Sequence, residues 1–258
     1  MEKGEKNKID QLFNEDCLEG MKRIPSGSID MILTDLPYGT TACKWDEVIP
    51  FEPMWEQYLR VIKENGAIVL FGSEPFSTKL RSSRLDLYRY DWVWKKSRFA
   101  NQMLAHKQPL KITEDIMVFY KKQPTYNPQG LKKVNKVTRQ GITVTDNNGG
   151  GLRADSYVQE YTNYPRNVLE FSSASNTVHS TQKPTALLSY LIRTYTDPGE
   201  TVLDSCVGGG STIIAALHTK RHFIGFELDE FYYRVAQERI KRYLKSNGKQ
   251  SIGECYEL

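Results

Sequence analysis

No part of this 258-residue chain is apolar for long. The longest strongly apolar run is Ala67-Ile68-Val69-Leu70-Phe71, far short of the ~20 residues that a membrane-crossing helix needs, so a helical membrane protein is excluded. The start of the chain, Met1 to Lys8, is polar and lacks the apolar core of a secretory leader; the protein is therefore expected to work in the cytoplasm. Cysteine is scarce too. Cys17, Cys43, Cys206 and Cys255 stand far apart without a Cys-x-x-Cys pair, which argues against a zinc site and against a disulfide framework. Histidine is equally rare, and His106, His179, His218 and His222 show no ligand spacing, so no metal is expected. There is no internal repeat.

What remains is an ordinary globular composition, 39% hydrophobic and 26% charged with a mean hydropathy of −0.54, enough for one α/β domain carrying a modest insert. The net charge is only +4, but it is unevenly spread. Lys79 to Arg139 holds 15 Lys/Arg against 4 Asp/Glu, a local excess of +11 that leaves −7 for the rest of the chain. So one-sided a block points to a polyanionic partner.

Short apolar runs alternate with helical periodicity. Ser28 to Thr34 and Gly66 to Phe71 read as buried strands, with a helix over Pro53 to Ile62 between them. Tyr90 to Trp94 and Ile116 to Tyr120 read as further strands, and Lys121 to Tyr164 weakens into a polar insert centred on a mobile loop at Asn147-Asn148-Gly149-Gly150-Gly151. Regular signals resume with a helix over Thr185 to Tyr195, then strand Thr201 to Leu203, helix Ser211 to Thr219, strand Phe223 to Phe226 and helix Asp229 to Leu244. This alternation implies a mostly parallel sheet covered by helices on both faces.

Two segments sit where such sheets bind ligands, beyond the carboxyl ends of strands. The first is Thr34-Asp35-Leu36-Pro37-Tyr38-Gly39, in which aspartate accepts hydrogen bonds, proline stiffens the turn and tyrosine offers a flat stacking face; the same residues also suit an ordinary turn. The second is Asp204-Ser205-Cys206-Val207-Gly208-Gly209-Gly210-Ser211-Thr212, a glycine-rich strand-to-helix loop whose backbone N–H groups can approach a ligand. Glu227 follows at the end of the next strand, where a carboxylate can bind ribose hydroxyls. Strand, loop, helix, strand and acid in this order point to a nucleotide-like ligand.

Together with His179-Ser180-Thr181-Gln182-Lys183-Pro184 ahead of a helix, these segments resemble the catalytic, cofactor and helix-leading motifs of the S-adenosylmethionine-dependent DNA amino-methyltransferases. The order, with the catalytic motif first and the cofactor loop last, resembles the β group of that family. Asn14-Glu15-Asp16-Cys17-Leu18 is similar to its early acidic motif, and Trp92-Val93-Trp94-Lys95 with Lys111 to Lys121 is similar to its later strand motifs. Leu36 departs from the commonest form, which has proline there, and Ser205 and Cys206 replace the usual proline and phenylalanine. The resemblance implies a Rossmann-like, mostly parallel, seven-stranded methyltransferase sheet with circularly permuted motif order and a small target-recognition insert. The implied division is 1–121 and 179–247 for the catalytic and cofactor-binding halves, 122–178 for the insert and 248–258 for a tail.

The implied activity is methylation of the N6 amine of a flipped-out adenine in double-stranded DNA, with cytosine N4 as the alternative of identical chemistry. Aspartate at the head of the turn favours adenine in this family, where serine is commoner in the N4 enzymes. Cytosine C5 chemistry needs a thiolate, normally in a Pro-Cys pair, and none of the four cysteines follows a proline. A protein-glutamine methyltransferase shares a similar turn but has the cofactor loop first, and a DNA-binding module with a dead site would lack Asp35, Tyr38 or the glycine loop. By the resemblance, Asp35 and Pro37 are catalytic with Tyr38 as stacking platform. Asp16, Asp35, Lys183, Asp204, Cys206, Gly208, Gly210, Ser211, Thr212 and Glu227 would hold S-adenosylmethionine. Lys95, Lys96, Arg98, Lys107 and Lys111, from the basic block, would contact DNA phosphates, whereas Lys132, Lys133 and Arg139, further into the insert, would bear on which sequence is read by reaching base edges. A cognate restriction enzyme and a homodimer are candidate partners.

Overall fold

A computed structural model describes residues 10–40, 46–139, 156–174 and 182–247 of the protein. In chain order the elements are β1 (Gln11–Phe13), α1 (Cys17–Met21), β2 (Ile29–Thr34), α2 (Phe51–Val61), β3 (Ile62–Gly72), α3 (Phe76–Ser83), β4 (Tyr88–Ala100) and β5 (Lys111–Phe119). After them come β6 (Lys132–Arg139), β7 (Ser156–Thr162), β8 (Val168–Glu170), α4 (Thr185–Tyr195), β9 (Thr201–Asp204), α5 (Ser211–His218), β10 (His222–Phe226) and α6 (Glu230–Ser246). None of the described helices is long and apolar enough to cross a membrane.

One sheet takes eight strands in the order β1-β10-β9-β2-β3-β5-β4-β8. Pairing is parallel from β1 through β3 and again between β4 and β8, and antiparallel only where β5 joins β3 and β4. β2 is buried at every position and β3 from Gly66 onward, as expected for strands with helices on both faces. Alternate residues divide between two cores. Met31, Leu33, Ala67, Val69 and Phe71 pack against α4, α5 and α6, whereas Ile32, Ile68, Leu70, Met117 and Phe119 pack against α1, α2 and α3. The period-2 geometry of the strand thus separates two apolar layers within one continuous hydrophobic run.

The chain runs outward from the middle of this sheet in both directions, β9 to β10 on one side and β2 to β3 on the other. β2 and β9 are neighbours, joined in parallel through Met31↔Val202 and Ile32↔Leu203. Their carboxyl ends flank the crevice where the winding direction reverses, the preferred ligand position in open α/β sheets.

Two expectations are corrected. The sheet has eight strands rather than seven, because β8 adds to the outer edge of β4. It is held there by Val93 N–H donating to the Asn167 carbonyl at 2.7 Å and by the Trp94 indole N–H donating to the Phe171 carbonyl at 2.9 Å. A three-residue strand shows no periodicity, so it reads from sequence as part of the insert. The helix expected over Pro53 to Ile62 runs instead from Phe51 to Val61, and Asn65-Gly66, a turn-like pair beyond it, lies inside an extended β3 whose Lys63, Glu64 and Asn65 are not buried.

A second compact unit, Pro128–Arg166, separates from the remainder of the chain. It is built on an antiparallel β6–β7 ribbon running from Lys132↔Thr162 to Arg139↔Ser156. The polar loop expected at Asn147 to Gly151, the tail 248–258, Cys43 and Cys255 lie outside the described residues.

Candidate active site

The two segments singled out in the sequence meet at the carboxyl ends of β2 and β9. Thr34, the last residue of β2, donates its hydroxyl to Asp204 Oδ1 at 2.5 Å across 170 positions of sequence. Ser205 Oγ lies 2.6 Å from the Tyr58 hydroxyl of α2 and 3.3 Å from Thr34 Oγ1. The Cys206 N–H also donates to Asp204 Oδ1, at 3.0 Å. A buried polar knot therefore fixes the first residues of the glycine loop against the strand that ends one position before Asp35. Burial pushes the Asp204 carboxyl up to about 6, against the bonds from Thr34, Thr212 and Cys206 that favour its charged form.

Asp35 itself belongs to a cluster of four more side chains. Lys183, on the segment leading into α4, brings its ammonium 2.5 Å from Asp35 Oδ2 and 2.9 Å from Glu114 Oε1. The Tyr38 hydroxyl lies 2.7 Å from Asp35 Oδ1 and 2.9 Å from Glu114 Oε1, and Lys96 pairs with Glu114 Oε2. Glu114 stands near the start of β5 and is only 5% exposed, with Lys183 at 7%. Burial disfavours the Glu114 charge, but Lys183 and Lys96 outweigh it and hold the carboxyl down at about 2. Burial likewise works against the Lys183 charge, which Asp35 and Glu114 preserve. For Asp35 burial wins over Lys183, and Glu114 adds repulsion, so this carboxyl titrates above the ordinary aspartate value. Tyr38 stays protonated through burial and its two acidic neighbours, with its ring stacked on Phe76 at a centroid distance of 5.0 Å.

The turn after Tyr38 is shaped by Asp46. Its buried carboxylate accepts the N–H groups of Tyr38 (2.8 Å), Gly39 (3.0 Å) and Thr40 (2.8 Å). Gly39 meets this requirement with a φ of +66°, which a side chain would oppose.

Beside this cluster the glycine loop wraps onto α5. Gly208 and Gly210 take positive φ values of 52° and 83°, and a Cβ at Gly210 would stand 3.1 Å from the Cβ of Ala236 on α6. Glu227, at the end of β10, accepts the Gly208 N–H at 2.6 Å and the Asp229 N–H at 2.8 Å. Burial raises its pKa. Ser211 and Thr212 are buried in the first turn of α5, and Arg239 of α6 grips the loop through the Gly209 carbonyl. Asn14 donates to the carbonyls of Glu227 (2.8 Å) and Leu228 (3.1 Å), tying β1 to the same corner. The donor set suits a ribonucleoside bearing a charged tail: a buried carboxylate with lone pairs left for hydroxyls, and a close-packed glycine loop at a helix start.

The other residues singled out in the sequence have the following surroundings. Asp16 caps α1, its Oδ1 accepting from Leu18 N–H (2.7 Å) and Glu19 N–H (3.3 Å). Lys183 faces Asp35 and Glu114, on the side of the catalytic turn. The Cys206 thiol is raised well above the usual range, chiefly by its contact with Cys17, so it is not a thiolate. Lys96 is tied to a buried acid, and Lys111 to Ser73. Lys95 pairs with the exposed Glu170 at 3.0 Å, and Arg98 and Lys107 are exposed. Lys132 and Lys133 are exposed on β6 of the second unit; the Arg139 side chain and His179-Ser180-Thr181 lie outside the described residues. Asp46 and Arg239 carried no sequence signal, and Glu114 and Asn14, though inside the motif segments, were not singled out, since each is a single polar residue with no pattern of its own to mark its role.

Comparison with known proteins accords with this geometry. The sequence profile of the N6_N4_Mtase family, described as DNA methylase, matches residues 29–238. The chain is 28% identical to the type II methyltransferase M.HpaI of Haemophilus parainfluenzae over 95% of this chain and 77% of that protein. Among solved structures, the M1.HpyAVI–SAM complex superposes with a TM-score of 0.60 at 22% identity, covering 89% of this chain and 98% of the other. The cytosine-N4-specific PvuII DNA methyltransferase superposes with a TM-score of 0.65 at 16% identity, covering 92% and 93%. These two structural likenesses establish a shared methyltransferase fold.

The raised Asp204 pKa has a thermodynamic consequence. The folded state binds this proton more tightly than the unfolded chain, so the stability associated with it is complete below pH ~4 and is lost as pH rises through about 6. Asp204→Asn, which keeps an acceptor for Thr34 and Cys206 but carries no charge, is expected to be about 1–3 kcal/mol more stable than the parent at pH 8. That difference shrinks toward zero as the pH falls to 4. Urea denaturation at the two pH values measures it, and a gap independent of pH counts against the assignment.

Proposed function

The chain belongs to the N6/N4 family of S-adenosylmethionine-dependent DNA methyltransferases, and on that premise we propose that it methylates the N6 amine of an adenine flipped out of duplex DNA. The observation that carries the reading is the Thr34–Asp204 bond, which holds Asp35 beside the glycine loop. Aspartate rather than serine at the head of the turn favours adenine over cytosine N4.

An exocyclic base amine is a poor nucleophile because its lone pair is delocalised into the ring. Asp35 and the carbonyl of Leu36 or Pro37 accept its two N–H groups, drawing them out of the ring plane and exposing the lone pair. Each Asp35 oxygen already has one partner, Tyr38 or Lys183, and retains a second lone pair for this purpose. Bound S-adenosylmethionine supplies a methyl group on a positively charged sulfur, an electrophile with a good leaving group. The protein's task is accordingly positioning and exclusion of water. As positive charge develops on the amine nitrogen, the Asp35 carboxylate faces it, while Glu114 neutralises Lys183 so that this cation does not cancel the Asp35 charge. The surplus proton leaves through the Asp35 hydrogen bond to solvent. Tyr38 stacks on the extruded base. Gly208, Gly210, Ser211, Thr212 and Cys206 line the cofactor and Glu227 binds its ribose. Arg98 and Lys107 contact phosphates, and residues 128–166 read the target sequence, with Lys132 and Lys133 on that surface.

The deciding experiment expresses the protein in a host without its own methylases, maps modified positions on recovered DNA by long-read sequencing, and identifies the base by mass spectrometry of nucleosides. N6-methyladenine is expected; N4-methylcytosine overturns the base assignment and leaves the mechanism. Asp35→Ala is expected to lower methyl transfer by at least about 10²-fold with S-adenosylmethionine affinity within a few-fold. Near-wild-type activity removes Asp35 from the mechanism.

Glu114→Gln leaves Lys183 balanced by Asp35 alone. Its kcat is expected to fall on the order of 10-fold or more through misplacement of the cluster. Because Glu114 is one of the groups that raise Asp35, the acid limb of the kcat profile should also move to lower pH. An unshifted limb with unchanged kcat shows that Glu114 serves the fold only.

A further inference from the structure

β5 begins at the same end of the sheet where β2 and β3 leave it, since Asp115 pairs with Gly72 at the carboxyl end of β3. Glu114, one residue earlier, touches Tyr38. Lys111, three residues before Glu114 and so roughly 10 Å further along the strand, reaches Ser73 just beyond β3. Past Ala100↔Lys111, the last pair of the β4–β5 ladder, residues 101–110 form a tip that extends from the active edge with no strand partner among the described residues.

This tip has an unusual surface. Met103 is 97% exposed and Phe99 52%, with Leu104, Leu110 and Ile112 each near 40%, in a protein whose other large apolar side chains mostly form two buried cores. From Ser97 to Ile112 there is no Asp or Glu, while Arg98, Lys107, Lys111 and His106 are present. The backbone closes a hydrogen-bonded turn. Leu104 N–H donates to the Asn101 carbonyl at 2.9 Å, and Lys107 and Gln108 N–H donate to the Leu104 carbonyl at 2.8 and 3.0 Å. Asn101 takes a left-handed φ of 64° to start the turn. A hydrogen-bonded knuckle with an apolar apex and only basic charges in its own segment matches a duplex, whose phosphates take the cations and whose stacked bases accept an apolar wedge.

We propose that residues 101–110 are a DNA-inserting finger, with Met103 and Leu104 filling the space in the stack vacated by the target base. Flipping breaks stacking and pairing; an apolar side chain entering the gap keeps water out and holds the base extrahelical. Methionine suits the task because its unbranched chain adapts to an irregular gap. The proposal rests on the base-flipping reading given above.

The test uses the full chain and two duplexes carrying the mapped recognition sequence, one fully paired and one with the target base mispaired and so already loosened. In single-turnover methylation, Met103→Ala/Leu104→Ala is expected to lose at least about 10-fold on the paired duplex, a part of the flipping cost, and no more than about 2-fold on the mispaired one. Met103→Leu/Leu104→Met, which keeps an apolar apex, should restore the paired rate. Thermal melting confirms that the variants are folded. An equal loss on both duplexes, as a damaged fold or a lost contact between two copies of the chain would produce, overturns the finger, as does no loss on either. If the wild-type protein itself gains nothing from mispairing, the flipping reading falls and the finger with it.

Discussion

The parallel pairing of β2 with β9 is the constraint on which the rest depends. Two strands some 170 positions apart lie side by side, and parallel pairing brings both carboxyl ends to the same edge. The turn bearing Asp35 and the glycine loop must then emerge as neighbours. The Thr34–Asp204 bond secures that arrangement at the last residue of each strand. Because it lies in a buried polar knot with Ser205 and Tyr58, slippage of either strand would strand unsatisfied polar groups in the core, a penalty of about 1–3 kcal/mol each.

Charge balance is the second constraint. Asp35, Glu114, Lys183 and Lys96 bring two acids and two bases into a largely dry site. Buried ion pairs stabilise a fold little, since desolvation offsets attraction, but removing one member leaves another uncompensated. That asymmetry suits a reaction in which positive charge appears on a nitrogen: the cluster is neutral as a whole, and Asp35, in the turn, is its less enclosed acid. Glu114, almost fully enclosed, balances the lysines and keeps the hydroxyl of Tyr38 in place.

The antiparallel end of the sheet serves a different purpose from the parallel end. β4 and β5 leave the doubly covered region, and their outer halves alternate or become exposed. A hairpin can project beyond the sheet without exposing unpaired core strands, because its two members satisfy each other's backbone groups. It is therefore suited to carry basic and apolar side chains out toward a large ligand.

Composition, periodicity and turn chemistry were sufficient for the α/β class, the strands bearing Thr34 and Asp204, and the helices α4, α5 and α6, because these are local properties of contiguous residues. Asp35, Tyr38, Gly208 and Gly210 were legible as candidates because each lies in a motif of several neighbours, and the structure brings those two motifs together at the carboxyl ends of β2 and β9. Only the tertiary structure decided that Lys183 meets Asp35, that Glu114 joins them, and that a three-residue strand extends the sheet to eight. The physical reason is the same throughout: a lone acid or a strand of three residues has no periodicity of its own, and its function is set by partners that only the packing of distant segments brings within hydrogen-bonding distance.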